Sequence, residues 1–215
     1  MRVDLHSHTI FSDGEVIPAE LARRAMVLGH EALAITDHVD MTNVEFVVTN
    51  LVKAAELCED YIRVIPGVEI THVPPGKIAA VAKAAKGFGA GWVVVHGETV
   101  TEPVMPGTNR AAVECADVDL LAHPGLLSAA DAATAADSGV YIEISGRRGH
   151  SITNGHVVNT ARIAGAEMLV NSDAHAPGDL MDLETARIVA LGAGLDEDEA
   201  HRALHTNPQL VLRRL

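Results

Sequence analysis

Aromatic residues are nearly missing from this chain, which has three Phe, two Tyr and one Trp among 215 residues. A core must therefore come from Ala, Val, Leu and Ile, a palette that suits helices packed closely on a buried parallel sheet. Cysteine is also scarce. Cys58 and Cys115 make no disulfide framework, which points to a reducing cytoplasm, and each reads as a small core residue rather than a nucleophile. No apolar run is long enough to span a bilayer. The opening "MRVDLHSHTIFSDG" lacks the basic start, long apolar stretch and small-residue cleavage site of a signal peptide. Positive charge is in deficit, with 16 Lys and Arg against 29 Asp and Glu and a formal charge of −13. Such a surface repels nucleic acid and acidic membranes unless bound cations or a local basic patch reverse the sign. No linker-like or low-complexity segment divides the chain, so residues 1–215 read as one compact domain.

What the chain does have is alternation. Seven short apolar runs rich in β-branched residues, "MRVDLHSH", "EALAITDH", "IRVIPGVEI", "GWVVVHGE", "VDLLAHPG", "VYIEIS" and "EMLVNSDAH", read as strands buried on both faces. Helical patterns separate them. "IPAELARRAMVLGH" carries Pro18 near its start and Gly29 past its end, the expected asymmetry of a helix. After the last strand come "DLETARIVALGAG" and "DEDEAHRALHTNP". In the latter, Asp196 with Glu199 forms a capping-box pattern and Pro208 is expected to stop the helix. Repeated strand–helix alternation implies right-handed crossovers and a parallel sheet, either open and doubly wound or closed into a barrel. The first strand is not followed by a Gly-rich phosphate loop, so the strongest marker of a nucleotide-binding open sheet is missing.

Twelve histidines are many for this length, and their placement is informative. His6 and His8 close the first strand, Asp37 and His38 the second, Glu69 the third, His96 the fourth, His123 the fifth, and Asp173 and His175 the seventh. In a parallel βα barrel all strand C-termini open onto one face. Alternate strand residues point the same way, so His6 with His8, and Asp173 with His175, can each face one ion. A lone strand-end histidine is ordinarily a satisfied polar residue. So many imidazoles and carboxylates gathered at one end would repel and desolvate one another without cations to bind. The mixture suits Zn²⁺, Mn²⁺ or Fe²⁺ rather than Ca²⁺.

The motifs "DLHSHT", "ITDH", "GVEI", "HPG" and "NSDAH", in this order, resemble those of the PHP (polymerase and histidinol phosphatase) family. The resemblance spans essentially the whole chain. It implies a distorted seven-stranded (β/α)7 TIM-like barrel whose strand ends hold two or three divalent metal ions. Carried over by motif, His6, His8, Glu69 and Asp173 would hold a first metal. Glu69 would bridge to a second held by His96 and His123, and His38 with His175 would hold a third. Members with a fully ligated third site often have a histidine in the loop where this chain reads "FSDG". Asp13 takes that place, directly or through water. Asp37 is expected to orient a neighbouring histidine rather than to ligate.

Closely spaced cations activate water and neutralise phosphate oxygens, so the expected reaction is hydrolysis of a phosphate ester by a hydroxide held between the metals. Ser7 and Ser172 alternate with ligands and should face away from the centre. "ISGRRGH", after the sixth strand, offers Arg147 and Arg148 for phosphate oxygens. His150 is a weaker candidate as proton donor to the leaving alcohol, and Asn109 and Arg110 as further substrate contacts. The expected activity is that of a cytoplasmic phosphomonoesterase acting on a small phosphorylated metabolite, histidinol-phosphatase-like. One alternative is a nucleotide phosphodiesterase or exonuclease, disfavoured for long nucleic acid by the acidity. Another is a non-catalytic RNA-binding barrel of the RNase P type, echoed faintly in "NSDAHAPGDL" and opposed by the ligand set and the charge. No membrane partner is expected.

Overall fold

The computed structural model describes residues 1–215. Its strands are β1 (Arg2–Asp4), β2 (His30–Ile35), β3 (His38–Val39), β4 (Arg63–Ile70), β5 (Trp92–His96), β6 (Leu120–Ala122), β7 (Tyr141–Ser145) and β8 (Met168–Asn171). All pairings are parallel, in the order β1-β2-β4-β5-β6-β7-β8, with the two-residue β3 paired to β4. The seven expected strands are all present. β3 is an addition, formed because the chain after β2 bends and meets β4 again at the register His38↔Glu69.

The sheet curls until β1 meets β8, and this seam is closed mostly by other means than a ladder. A single parallel bridge joins Ser7 to Ala174. His8 N donates to Ala174 O at 2.8 Å, and Asp173 N donates to His6 O at 3.0 Å. Below that level side chains take over. Asn171 Oδ1 accepts from Leu5 N at 3.0 Å, Asp4 Oδ1 accepts from Ser172 N at 3.1 Å, and Arg2 Nη2 donates to Val170 O at 2.9 Å. These contacts satisfy backbone groups that an open edge would leave exposed. The architecture is a nearly closed, seven-stranded α/β barrel.

Helices α1 (Pro18–Val27), α2 (Val44–Cys58), α3 (Ile78–Phe88), α4 (Thr108–Val113), α5 (Ala129–Ser138), α6 (Asn154–Ala164), α7 (Leu183–Gly192), α8 (Glu197–His201) and α9 (Asn207–Arg214) complete the chain. Alternation along each strand sends one set of residues to the helices and the other into the barrel. Val93 and Val95 join the large aliphatic layer under the helices, whereas Trp92 and Val94 face inward. With so few aromatics, the barrel interior is filled by Trp92 and Tyr141 among Val3, Leu5, Ala32, Ala34 and Leu120, and Val211 of α9 packs against this set. Trp92 Nε1 crosses the barrel to donate to Leu5 O at 3.0 Å. Gly67 lets the neighbouring strands approach closely: a Cβ there would lie 2.9 Å from the Trp92 backbone O and 2.8 Å from Thr36 Cγ2.

The capping box at α8 is present, Glu199 N donating to Asp196 Oδ1 at 2.8 Å and Asp196 N to Glu199 Oε2 at 2.9 Å. Pro208, by contrast, does not end the helix. A π turn over Arg202–Thr206 leads into α9, and Pro208 sits in the first turn of that helix. The widened turn separates the ring from the preceding carbonyls, so the helix continues through it. No helix is long and apolar enough to cross a membrane.

Candidate metal centre

Parallel strands bring every C-terminal end to one rim, and the polar residues collect there. Past β1, Ser7 turns outward and its hydroxyl donates to Ala34 O at 2.7 Å. His6 and His8 turn inward with their Nε2 atoms 3.1 Å apart. Glu69 is the inward residue near the end of β4, His96 ends β5, and His123, Asp173 and His175 follow β6 and β8. The chain's three non-glycine residues with positive φ are His72, His123 and Asp173, at 53°, 27° and 53°. Backbone strain of this kind persists only where surrounding structure holds it, and it occurs at the end of three strands of the rim.

Glu69 is the hub. It is fully buried. Its Oε2 lies 3.4 Å from His6 Nε2, 3.5 Å from His8 Nε2 and 2.9 Å from His38 Nδ1. Its Oε1 lies 3.3 Å from His96 Nδ1 and 3.2 Å from His123 Nε2. Asp173 completes the inner group, with Oδ1 3.3 Å from His8 Nε2 and Oδ2 3.7 Å from His123 Nε2. A second group lies toward solvent. Asp13 Oδ1 is 3.2 Å from His175 Nε2, 3.5 Å from His38 Nε2 and 3.9 Å from His8 Nδ1. His8 and His38 thus turn one ring nitrogen to each group. The structure brings together all eight residues expected to ligate, and Asp13 with them.

Two observations fit this set to cations. First, both oxygens of buried Glu69, both ring nitrogens of His96, Nδ1 of His8 and of His123, and Oδ2 of Asp173 have no hydrogen-bond partner. Orphaned buried polar atoms at this density are costly unless something binds them. Second, three or more donors converge at each place: His6, His8 and Glu69; His6, His123 and Asp173; His38, Glu69 and His96; His8, Asp13, His38 and His175. Imidazole and carboxylate donors in this mixture suit a transition metal or zinc. The electrostatics agree. Burial lowers the His6 pKa, but Glu143, Asp173 and Glu69 more than reverse this and hold it well above the ordinary value. Burial likewise lowers His38 and His96, but their carboxylate neighbours, Glu69 foremost, more than reverse this and raise them to about 10 and about 9. His8 goes the other way, its burial taking it down to about 3. Burial would raise the Glu69 and Asp173 carboxyls, yet the surrounding histidines hold both below their ordinary values.

The centre lines a cavity of about 260 Å³ with no apolar side chain in its wall. Arg147 reaches into it, its Nη1 donating to Asp173 O at 3.3 Å. Arg148 is exposed and lines only the neighbouring cavity. His150 lies over His123, ring centroids 4.1 Å apart, with Nδ1 2.8 Å from Thr99 Oγ1 and Nε2 3.5 Å from Glu102 Oε1. Three expectations are corrected. Arg110 is turned away and pairs with Asp131 at 2.8 Å, because α4 and α5 pack side by side. Asn109 is structural, accepting from Glu98 N and donating to Pro124 O. Asp37 orients no histidine. Its carboxylate accepts from Thr9 N, Thr9 Oγ1 and Ser12 Oγ at 2.7–2.8 Å, pinning the loop that carries Asp13.

Sequence reasoning missed Glu143, which is fully buried on β7. Its Oε1 sits 2.7 Å from His6 Nδ1 and its Oε2 accepts from His123 N at 3.1 Å. A carboxylate in the apolar run "VYIEIS" was the available signal. Glu102 and His72 were also missed, Glu102 Oε2 lying 3.1 Å from His96 Nε2 and 3.4 Å from His72 Nε2. Both sit in loops, where periodicity says nothing about position. Thr71 Oγ1, 2.6 Å from His38 Nδ1, completes the surround.

Comparison with known proteins places the fold and the family. The chain is 50% identical to an uncharacterised protein of Methanocaldococcus jannaschii, aligned over all of both chains. It is 28% identical to ribonuclease P protein component 3 of Methanosarcina mazei, across 94% of this chain and 85% of that one. Among solved structures, the histidinol phosphate phosphatase of Lactococcus lactis, crystallised with zinc, L-histidinol and phosphate, superposes with a TM-score of 0.62 at 15% identity, covering 91% and 94% of the two chains. A chain of an archaeal ribonuclease P bound to mature tRNA superposes at 0.73 with 19% identity, covering 99% and 91%. These likenesses establish the barrel. The PHP domain matches residues 4–145, the stretch that runs from β1 through β7 and carries six of the eight expected ligands, and on that match the chain belongs to the PHP domain family.

Proposed function

We propose that this chain is a metal-dependent phosphoesterase whose preferred substrates are small phosphomonoesters. The observation that carries the reading is Glu69, fully buried, with two unpartnered oxygens each facing more than one imidazole. His6, His8, Glu69 and Asp173 would hold one cation, Glu69, His96 and His123 a second, and Asp13, His38 and His175 a third. Bound divalent cations supply Lewis acidity, lowering the pKa of water and neutralising phosphate oxygens. The cavity wall contains no serine or cysteine, and its threonine, Thr71, is committed to His38. A nucleophile from the chain itself is therefore not needed by this reading. Arg147 would hold phosphate oxygens in a forked geometry at the edge of the cavity. His150, its Nδ1 anchored by Thr99 and its pKa pushed down to about 4 by burial, would be neutral and would present Nε2 to the leaving oxygen as a hydrogen-bonding group rather than as an acid. The small charged cavity and the fold shared with a histidinol phosphate phosphatase support a monoester over a long diester.

The test is a screen of phosphate mono- and diesters with the full chain reconstituted with Zn²⁺, Mn²⁺ or Fe²⁺. Metal-dependent release of orthophosphate from monoesters, abolished by His123→Ala, is the expected result. Hydrolysis of diesters alone would overturn the monoester assignment, and inactivity throughout would overturn the enzyme. A second reading, an RNA-binding barrel without catalysis, is favoured by the ribonuclease P likenesses. The charge of −13 opposes it. Binding of tRNA at physiological salt, with no esterase activity, would establish it.

A further inference from the structure

The metal cavity has no apolar side chain in its wall, so it suits a phosphoryl group, and an apolar organic part of an ester would find its contacts beyond it. Two larger cavities adjoin. One, of about 820 Å³, shares Asp13, Arg147 and His175 with the metal cavity and adds Glu15, Arg148 and Asp179, so its near wall carries both signs of charge. The other, of about 540 Å³, shares Thr71 and His72 with the metal cavity. Met41, Val73, Pro74, Ala80 and Val81 give it an apolar wall, and Asp40, Thr42 and Lys77 also line it. This volume falls in the range of about 300–1,000 Å³ usual for small-ligand sites.

The continuity is built into the backbone. Thr71 points back to the centre and holds His38. His72, at φ 53°, turns the chain sharply, so that Val73 and Pro74 form the far wall instead of continuing β4. The His72 ring stands on the threshold, Nε2 3.4 Å from Glu102 Oε2, whose other oxygen faces His150 at 3.5 Å. Arg147 and His72 both line the metal cavity, so a phosphoryl group held by Arg147 would place its organic group here by turning its ester oxygen toward His72.

We propose that the cavity between Met41, Val73, Pro74 and α3 receives the apolar organic group of the substrate ester, an alkyl or aryl alcohol, and so sets specificity. The inference rests on the phosphoesterase reading above, and the test separates the two. Phosphonates are not hydrolysed, so binding can be read without turnover. Methylphosphonate reports the phosphoryl site alone, and phenylphosphonate adds the cavity. With metal-loaded full chain, calorimetry should show phenylphosphonate binding at least tenfold more tightly than methylphosphonate. Ala80 is exposed on α3, so Ala80→Trp fills the cavity from its surface. It should bring the ratio close to one, leaving methylphosphonate affinity and metal content unchanged. Met41→Asp, also at an exposed position, should reduce the ratio in the same way. Failure to bind methylphosphonate would overturn the phosphoesterase reading and this one with it. Binding of methylphosphonate with no phenyl preference, or a preference that both variants leave intact, would overturn the cavity assignment alone.

Discussion

Glu143 contacts no other expected ligand than His6 and His123, yet it is in a position to govern the inner group. A carboxylate on the far nitrogen of a ligating imidazole fixes its tautomer and raises its basicity, and loss of such a partner typically costs about 10- to 100-fold in metal affinity. Glu143→Gln keeps the shape and removes the charge, so competition against a chelator should show a drop of that size. Unchanged affinity would mean that packing alone orients His6. The two arginines should separate. Arg147→Ala should cost about 1.5–3 kcal/mol in kcat/KM, as expected for a hydrogen bond to a charged group, while Arg148→Ala, exposed and outside the metal cavity, should stay near wild type. Steady-state kinetics on any ester that is turned over decides it, and equal losses would place the clamp elsewhere. His30 gives a pH signature away from the centre. Burial lowers its pKa from the ordinary 6.5, so the unfolded chain takes up its proton first as pH falls. Stability from neutral His30 is therefore present above about pH 6.5 and lost as pH drops toward the folded value. Denaturant titrations at pH 7 and pH 5 should show the wild-type advantage over His30→Gln shrinking at pH 5, and a constant difference would refute the assignment.

At the scale of elements, the turn after β6 shows how the rim is held. Gly125, the last residue of "HPG", has φ 63°, and a Cβ there would fall 2.0 Å from Glu98 O. Gly139, the C-cap of α5, has φ 78° but open space around it. Gly139→Ala should cost about 1–3 kcal/mol, the usual charge for a non-glycine left-handed residue. Gly125→Ala should cost more, because backbone must also move, and it should disturb metal binding through His123 two residues earlier. Equal thermal shifts for the two variants would contradict this. The loop of Asp13 is the weaker element of the centre. Asp37 pins its base through Thr9 and Ser12, but the Asp13 side chain is 55% exposed and that of His38 23%, against 0–2% for His6, His8, Glu69 and Asp173.

For the molecule as a whole, that gradient of burial orders the cations. Stepwise chelation followed by elemental analysis should remove first the cation proposed at Asp13, His38 and His175. Loss beginning at the His96–His123 pair would reverse the assignment. Complete removal should lower the thermal midpoint, since ligands that bind only the folded state contribute about 2.7 kcal/mol at a hundredfold excess over Kd. Re-addition should restore it. A midpoint indifferent to chelator would mean that the buried acids and histidines are content without cations.

Much of this arrangement was legible in the order of residues. Apolar runs of strand length, helix-end prolines and glycines, and polar residues recurring at strand ends are local patterns, and parallel strands carry such ends to one rim whatever the details. Hence His6, His8, His38, Glu69, His96, His123, Asp173 and His175 could be read off together. Pairing between distant buried groups could not. His6 meets Glu143 across 137 positions, Asp37 chooses Thr9 and Ser12 over a histidine, and Asp4, Arg2 and Asn171 close the seam with side chains in place of a ladder. Pro208 lies inside the helical tail because a π turn accommodates it. Each of these is decided by which unsatisfied donor or acceptor lies within about 3 Å once the barrel has closed, and that distance is a property of the folded register, not of spacing along the chain.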